Sequence, residues 1–263
     1  MSADENRIPS SGPGHRILVA IDGPAGAGKS TIARHLARHF GLLNLETGAM
    51  YRAFALKALR EEIPLDDSKA LETLAHETSI DLESGDEENR VLLDGEDVSG
   101  LIRNPTVTEA ASRVSVFPAI RSWMVRLQQQ LAAQGGVVME GRDIGTVVFP
   151  HAEVKIFLDA APEVRGQRRY DQLGQKNRTA ETPQQAGASG DGSVSSGLRD
   201  EVIRELHARD ERDRNRADSP LKPALDAVLL DSTNMTLDEA VAAAEAIVNE
   251  KLGLHSPAEP PTR

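Results

Sequence analysis

Residues 17–31 read Ile17-Leu18-Val19-Ala20-Ile21-Asp22-Gly23-Pro24-Ala25-Gly26-Ala27-Gly28-Lys29-Ser30-Thr31, and this stretch decides the fold. Its apolar beginning is typical of a strand that is buried on both faces. The chain breaks at Gly23 into a glycine-rich loop, and a helical pattern runs from Lys29 to Phe40. The order is therefore a strand, the pattern G-x-x-x-x-G-K-S, and a helix.

The glycine-rich loop has the composition of a phosphate-binding loop. Glycines let successive backbone N–H groups turn inward around a phosphate chain, and the following helix directs its positive dipole end at the same anion. Lys29 would reach the outer phosphates, and the Ser30 hydroxyl would bind Mg²⁺. The alternative is a strand-to-helix connection that is merely rich in Gly. The strand before the loop and the helix after it favour phosphate binding.

Composition narrows the class of protein. A chain of 263 residues can form one α/β domain with insertions or two small domains. A net charge of −11 argues against nucleic acid and membrane surfaces as partners, because both are polyanionic. The absence of Cys excludes disulfides and thiolate metal sites. Residues 1–14 are polar without an apolar signal core, so we expect a disordered tail there and a cytoplasmic protein.

Further apolar runs predict four more strands that alternate with helices. They lie at residues 42–45, 137–140, 154–158 and 227–231. This alternation predicts a five-stranded parallel sheet with helices on both faces, the α/β class. Residues 78–103 differ, because short apolar runs and an Asp94-Gly95 turn predict a small antiparallel insertion.

Polar side chains cluster where the predicted strands end. Parallel strands bring Thr47–Arg52, Glu140–Asp143 and the start of the Arg165 helix to the same sheet edge as the phosphate loop. Glu140 ends a buried strand, as a carboxylate that supports magnesium would. This edge carries more arginines than one triphosphate needs, so we expect a second phosphate-bearing substrate. Arg52 alone could equally be an ordinary surface residue.

The segment 165–216 has the composition of a closing lid. Arg165, Arg168 and Arg169 share a helix face, and residues 175–197 are low-complexity, which predicts a flexible loop. Further on, Arg209, Asp213 and Arg216 form a stripe with Arg212 beside it. Such a stripe is either a salt-bridged surface helix or a wall of the substrate site.

Five runs together resemble the bacterial cytidylate kinases, in order from about residue 15 to 252. They are Asp22-Gly-Pro-Ala-Gly-Ala-Gly-Lys-Ser-Thr31, Thr47-Gly-Ala-Met-Tyr-Arg52, Leu93-Asp-Gly-Glu-Asp-Val-Ser99, Gly141-Arg-Asp-Ile-Gly-Thr-Val-Val-Phe-Pro150 and Arg209-Asp-Glu-Arg-Asp-Arg-Asn-Arg216. The resemblance implies a phosphotransferase that converts ATP and CMP or dCMP to ADP and CDP or dCDP, with Mg²⁺. It also implies a three-layer P-loop fold.

The resemblance implies a role for each matching residue. The ATP phosphates would be held by Gly23, Pro24, Ala25, Gly26, Ala27, Gly28, Lys29, Ser30 and Thr31. On the CMP side, Thr47, Arg52 and Arg142 would lie along the phosphate, Ser112, Arg121, Asp143 and Arg216 near the cytosine, and Arg209 and Asp213 near the ribose. Lys29, Arg142 and Asp143 would be catalytic. Ser30 would bind Mg²⁺ directly, and Glu140 would bind it through water.

The resemblance also suggests how the chain is divided. The core would be 15–46, 104–164 and 217–254, the nucleoside monophosphate region with its β insert 47–103, the lid region 165–216 and a terminal tail 255–263. Glu46 and Glu140 stand where many relatives have Asp. We expect a monomer. The alternatives are a P-loop kinase for UMP, AMP or shikimate, or a nucleotide-dependent switch, although the chain lacks an N-K-x-D run.

Overall fold

The strands of the chain form two sheets. The structure, a computed structural model, describes residues 17–83, 89–133, 135–180 and 192–254. Its strands are β1 (Leu18–Asp22), β2 (Leu43–Glu46), β3 (Ile80–Glu83), β4 (Arg90–Leu93), β5 (Glu96–Asp97), β6 (Val137–Gly141), β7 (Val154–Asp159) and β8 (Val228–Asp231). The main sheet is parallel, in the order β2-β6-β1-β7-β8, and β3-β4-β5 form a small antiparallel sheet. Both predicted sheets are confirmed.

Eight α-helices connect the strands of the described ranges. They are α1 (Lys29–Phe40), α2 (Thr47–Arg60), α3 (Ser68–His76), α4 (Pro105–Val114), α5 (Pro118–Leu131), α6 (Pro162–Ala180), α7 (Gly192–Arg214) and α8 (Leu237–Leu252). A π-helical turn, Ile144–Val148, follows β6. The α8 helix begins with a capping box, in which Thr236 and Glu239 bond each other's backbone N–H groups. Helix α3 was not predicted.

Helices cover both faces of the main sheet. The β1 side chains alternate, so that Val19 and Ile21 pack with α1 and α8, whereas Ala20 packs on the opposite face with the π-helical turn and α5. The apolar positions Ile32 and Leu36 of α1 are fully buried against the sheet. This arrangement is a three-layer P-loop fold with an aliphatic core.

A separate apolar cluster lies beside the main sheet. It joins α2, α3, α4 and α5 to the small sheet, with Met50 and Leu71 among its fully buried members. Within it the ring of Phe54 lies 5.2 Å from that of Trp123, tilted by 54°. The small sheet therefore shares its core with α2, the helix that carries Thr47 and Arg52.

Some expectations concern residues outside the described ranges, and one is corrected. Both predicted tails, 1–14 and 255–263, and the centre of the predicted loop, 181–191, lie outside those ranges. The predicted loop 175–197 is too long, because α6 continues to Ala180 and α7 begins at Gly192. Residues 175–180 include Gln, Lys and Arg, which favour helix. Among the described helices, none combines the length and the apolar character needed to cross a bilayer.

The phosphate loop begins at Gly23, where the chain leaves β1 in close contact with the backbone of β7. A Cβ atom added to Gly23 would lie only 1.9 Å from the carbonyl oxygen of Leu158, a backbone atom that cannot rotate away. Gly26 has φ +77°, a left-handed conformation that glycine adopts readily. These two glycines therefore allow the chain to leave the sheet and turn into α1.

We expect Gly23→Ala to lower the free energy of unfolding by about 3 kcal/mol, because β7 would have to move. Gly100→Ala is the matched control, since a Cβ there meets no atom within 4 Å. Urea denaturation followed by circular dichroism measures both. Equal midpoints for the two variants would show that the close approach imposes no constraint.

Candidate functional site

An open cleft of about 750 Å³ lies at the carboxyl edge of the main sheet. The parallel register places Ile21 beside Glu140 and Asp22 beside Gly141, so the loop after β1 lies next to the end of β6. The structure brings all nine residues that were expected on the CMP side to the wall of this cleft. They are Thr47, Arg52, Ser112, Arg121, Arg142, Asp143, Arg209, Asp213 and Arg216.

The first turn of α1 forms one end of the cleft. The Lys29 ammonium donates to the Pro24 carbonyl at 2.8 Å, so it lies folded over the loop. The Ser30 hydroxyl donates to the buried carboxylate of Glu140 at 2.7 Å. A hydroxyl and a carboxylate that share a buried position are the hard oxygen donors that Mg²⁺ prefers. The residues present therefore fit a magnesium ion.

Buried and partly buried ion pairs fix the other walls. Arg52 pairs with Glu46 at 2.5 Å, and the Arg121 guanidinium bonds Asp143 directly. The carboxylate of Asp213 accepts from Arg142 Nε at 2.8 Å and also pairs with Arg216. Although burial opposes its ionisation, these two guanidiniums hold the pKa of Asp213 below its ordinary value. One carboxylate thus joins the end of β6 to the end of α7.

Positive charge exceeds negative charge in this cleft. Its lining includes six cationic side chains and four carboxylates. Burial, and then the nearby Arg142 charge, lower the pKa of Lys29 to about 7 and that of Arg209 to about 10. Both pKa values are lowered because Lys29 and Arg209 lie where little water reaches them and other positive charges are close. The cleft is therefore built to receive anions.

Four buried polar atoms of the cleft lack hydrogen-bond partners within the described part of the chain. They are Arg52 Nε, Ser112 Oγ, Arg121 Nε and Arg216 Nε. A buried polar atom without a partner costs free energy, so such atoms in a concave site are normally completed by ligand or water. Arg52 lies on α2, and the other three lie on the side formed by α4, α5 and the end of α7. This side of the cleft therefore favours a polar ligand.

Two of the four arginines expected in the lid, Arg165 and Arg168, lie outside the cleft lining. Arg165 is 2% exposed, donates to the Ala25 carbonyl at 2.9 Å and pairs with Asp210 at 2.5 Å. Arg168 donates to the Ser232 carbonyl at 2.8 Å. Neither side chain lines the cleft; both fasten α6 to the core, because the helix turns this face toward the loop. Sequence spacing showed that they share a face but not what it contacts.

The other two lid arginines differ from each other. Arg212 pairs with Glu109 of α4 at 2.7 Å, near the surface. Arg169 is half-buried, and burial together with the nearby Arg52 charge lowers its pKa. Arg169 therefore approaches the cleft from α6, while Arg212 joins α7 to α4.

Sequence reasoning missed several residues that shape the cleft. Tyr51 lines it, and burial raises the pKa of its phenol to about 12. Ser115 accepts from Arg216 at 2.9 Å. Asp22 accepts from the N–H groups of Ile144 and Gly145, both at 2.7 Å, and so holds the chain after Asp143. Helical spacing was the available signal for two of these residues, because Tyr51 and Ser115 follow predicted residues by four and three positions.

Comparison with known proteins identifies close relatives. The sequence model of the cytidylate kinase family matches residues 19–250. Cytidylate kinase of Pasteurella multocida is 44% identical over 240 residues, which cover 91% of this chain and 98% of that protein. Cytidylate kinase of Pelotomaculum thermopropionicum is 47% identical over 224 residues, covering 85% and 92%. A solved shikimate kinase from Acinetobacter baumannii is a remote match, at 16% identity and a TM-score of 0.38 over 90% of this chain and 94% of that one.

We expect Arg165→Met to lower the free energy of unfolding by about 3–5 kcal/mol, because it leaves the buried Asp210 carboxylate without a cation. Arg165→Met combined with Asp210→Leu should recover part of this loss. Arg204→Ala, an exposed arginine of α7, serves as the control and should change stability by less than about 0.5 kcal/mol. Thermal unfolding of all variants provides the measurement, and equal melting temperatures for Arg165→Met and Arg204→Ala would contradict the prediction.

Proposed function

This chain belongs to the cytidylate kinase family, and we propose that it transfers the γ-phosphoryl group of ATP to CMP or dCMP, giving ADP and CDP or dCDP. The observation that carries this proposal is the single cleft with a phosphate loop at one end and an arginine-rich wall opposite. Phosphoryl transfer needs two anions held in line while charge on the moving group is neutralised. The cleft supplies both requirements.

The excess positive charge would offset repulsion between the two substrates. Two unit charges of the same sign 4 Å apart repel by about 4 kcal/mol at the effective dielectric of a protein surface. Arg52 and Arg142 would bind the CMP phosphate, with the Thr47 hydroxyl beside them. Lys29 would leave the Pro24 carbonyl and bind the ATP phosphates held by residues 23–31. The two phosphate chains would then meet near Lys29 and Arg142, which both line the cleft.

The wall opposite the loop would select the nucleoside. Cytosine carries an exocyclic amine, which needs a fixed acceptor, and the Asp143 carboxylate is held in place by Arg121. Ser112 and Arg216 offer polar atoms that lack partners in the described chain, so the base would complete them. Arg209 and Asp213 would contact the ribose. These assignments explain why one wall combines carboxylates with guanidiniums.

Magnesium would be held at the phosphate-loop end of the cleft. The Ser30 hydroxyl would bind the ion directly, and Glu140 would bind it through water. The bound ion supplies positive charge at the ATP phosphates. Glu140 also accepts a hydrogen bond from the Ser30 hydroxyl in this structure, which keeps the two oxygens 2.7 Å apart. The lid region 165–216 would exclude water from the cleft, because water that enters an open site would hydrolyse ATP.

Turnover of a panel of phosphate acceptors with ATP and Mg²⁺ tests the function. We expect kcat/KM for CMP and dCMP to exceed that for AMP and shikimate by about 100-fold or more. Polar groups of the cleft wall would lack hydrogen-bond partners when any other acceptor is bound. UMP differs from CMP at the exocyclic group and should rank below it. A higher rate with AMP or shikimate would overturn the assignment. Nucleotide binding without any transfer would instead support the switch alternative.

The variant Arg142→Ala tests whether Arg142 binds the phosphate of CMP. It should lower kcat/KM for CMP by about 100-fold, since it removes a charge-assisted contact to the acceptor phosphate, while ATP affinity is largely kept. Arg113→Ala is the control, because that exposed arginine of α4 lies outside the cleft lining. An unchanged CMP rate in Arg142→Ala would contradict the proposed acceptor site.

ATP binding should take up a proton through Lys29. The pKa of Lys29 is about 7 in the empty cleft, so near pH 8 most of these amines are neutral. The negative triphosphate favours the ammonium form and raises this pKa, so the complex binds a proton that the free protein lacks. Calorimetry near pH 8 in buffers of different ionisation enthalpy measures the uptake. Lys29→Arg should abolish it, because a guanidinium stays charged, and equal uptake by both proteins would exclude Lys29 as the source.

A further inference from the structure

Two histidines and a glutamate meet on the surface at the end of α1 that is distant from the cleft. His35 and His39 are four residues apart on one face of α1, and their rings stack with centroids 6.0 Å apart. Glu245 of α8 faces them, and one ligand atom from each of the three side chains lies within 4.8 Å of the others. Nothing in the proposed kinase reaction uses this cluster.

The spacing of the three donors is close to that of a metal site. The Glu245 carboxylate oxygen lies 3.2 Å from His39 Nδ1 and 2.5 Å from His35 Nε2. Ligand atoms bonded at about 2.1 Å to a tetrahedral ion lie about 3.4 Å apart. The His39–Glu245 pair therefore has nearly the required separation already. His35 would retreat by less than about 1 Å, and its side chain is 44% exposed and has room to move.

The two helices that carry these donors are rigidly placed. The His39 ring packs edge-on against Phe40, with centroids 4.7 Å apart, and Phe40 is buried. Ala244, the neighbour of Glu245, is fully buried in the cluster that joins α8 to α1. The ligands are thus held by packing rather than by the ion. In addition, the carboxyl end of α1 carries the negative end of the helix dipole, which favours a cation there.

We propose that His35, His39 and Glu245 form a binding site for a divalent transition metal ion of the Zn²⁺ type. Two imidazoles and one carboxylate suit Zn²⁺, Co²⁺ or Ni²⁺, whereas Mg²⁺ prefers oxygen donors alone. Because the cluster is partly exposed, water completes the coordination. The ion links α1 to α8 on one face of the sheet and stabilises the folded chain by binding only when the two helices are together.

Cobalt binding to the full-length, untagged protein without nucleotide tests this site. We expect visible absorption of a Co²⁺ complex with one equivalent bound, and competition by Zn²⁺ but not by Mg²⁺. With Zn²⁺ at ten times its dissociation constant, the melting temperature should rise by about 3 °C. His151→Ala, which removes an exposed histidine elsewhere, should bind Co²⁺ as the unaltered protein does.

Two variants decide the outcome. His39→Ala and Glu245→Gln should each weaken Co²⁺ binding by at least about tenfold and abolish the Zn²⁺ stabilisation, since each removes one of three ligands. Glu245→Gln changes no apolar contact, so it keeps the test valid if His39→Ala unfolds. The proposal is overturned if Glu245→Gln binds Co²⁺ as tightly as the unaltered protein, or if the unaltered protein binds none at about 100 μM, a concentration at which a three-ligand site would be occupied.

Discussion

An excess of buried positive charge governs the cleft and much of what surrounds it. Four carboxylates cannot neutralise six cations, and Asp213 already serves both Arg142 and Arg216. Adding more carboxylates would remove the attraction for phosphates, so the imbalance is a requirement of function. In the free protein, ion pairs hold the guanidiniums of Arg52, Arg121, Arg142 and Arg216, and burial lowers the pKa of Lys29 to about 7. Binding of two anionic substrates would relieve the imbalance.

The same charges determine how the lid region is attached to the core. Arg165 of α6 bonds the phosphate loop at Ala25, whereas Asp213 of α7 bonds Arg142 at the end of β6. Helix α7 also contacts the phosphate loop, because Asp210 accepts from the Ala25 N–H at 3.3 Å and pairs with Arg165. Helix α7 therefore joins the phosphate loop to the end of β6, and α6 is fastened to the loop beside it. This arrangement explains why buried arginines on these helices have different partners.

How far the sequence predicts this structure depends on the range of the interactions involved. Helix α1 runs from Lys29 to Phe40 as predicted, because its apolar spacing and Gly41 are local signals. The nine residues on the CMP side were predicted from the resemblance to the family. Helical spacing alone could not decide whether the Arg209–Arg216 stripe is a salt-bridged surface or a wall of the substrate site. Strand order and the partners of Arg165 depend on contacts between residues far apart in the chain. Local patterns do not encode them, so helical spacing could not show that Arg165 contacts the phosphate loop. Roles of the site residues in catalysis stay predictions.

The chain contains a single tryptophan, and its position gives it a use beyond packing. Trp123 of α5 lies against Phe54 of α2, the helix whose first turn carries Thr47 and Arg52. With aromatic residues at only 3% of the chain, almost no other ring contributes to emission in the near ultraviolet. The indole is therefore a built-in fluorescent reporter on the acceptor half of the molecule. Its emission follows the packing of α2 without any label attached to the protein.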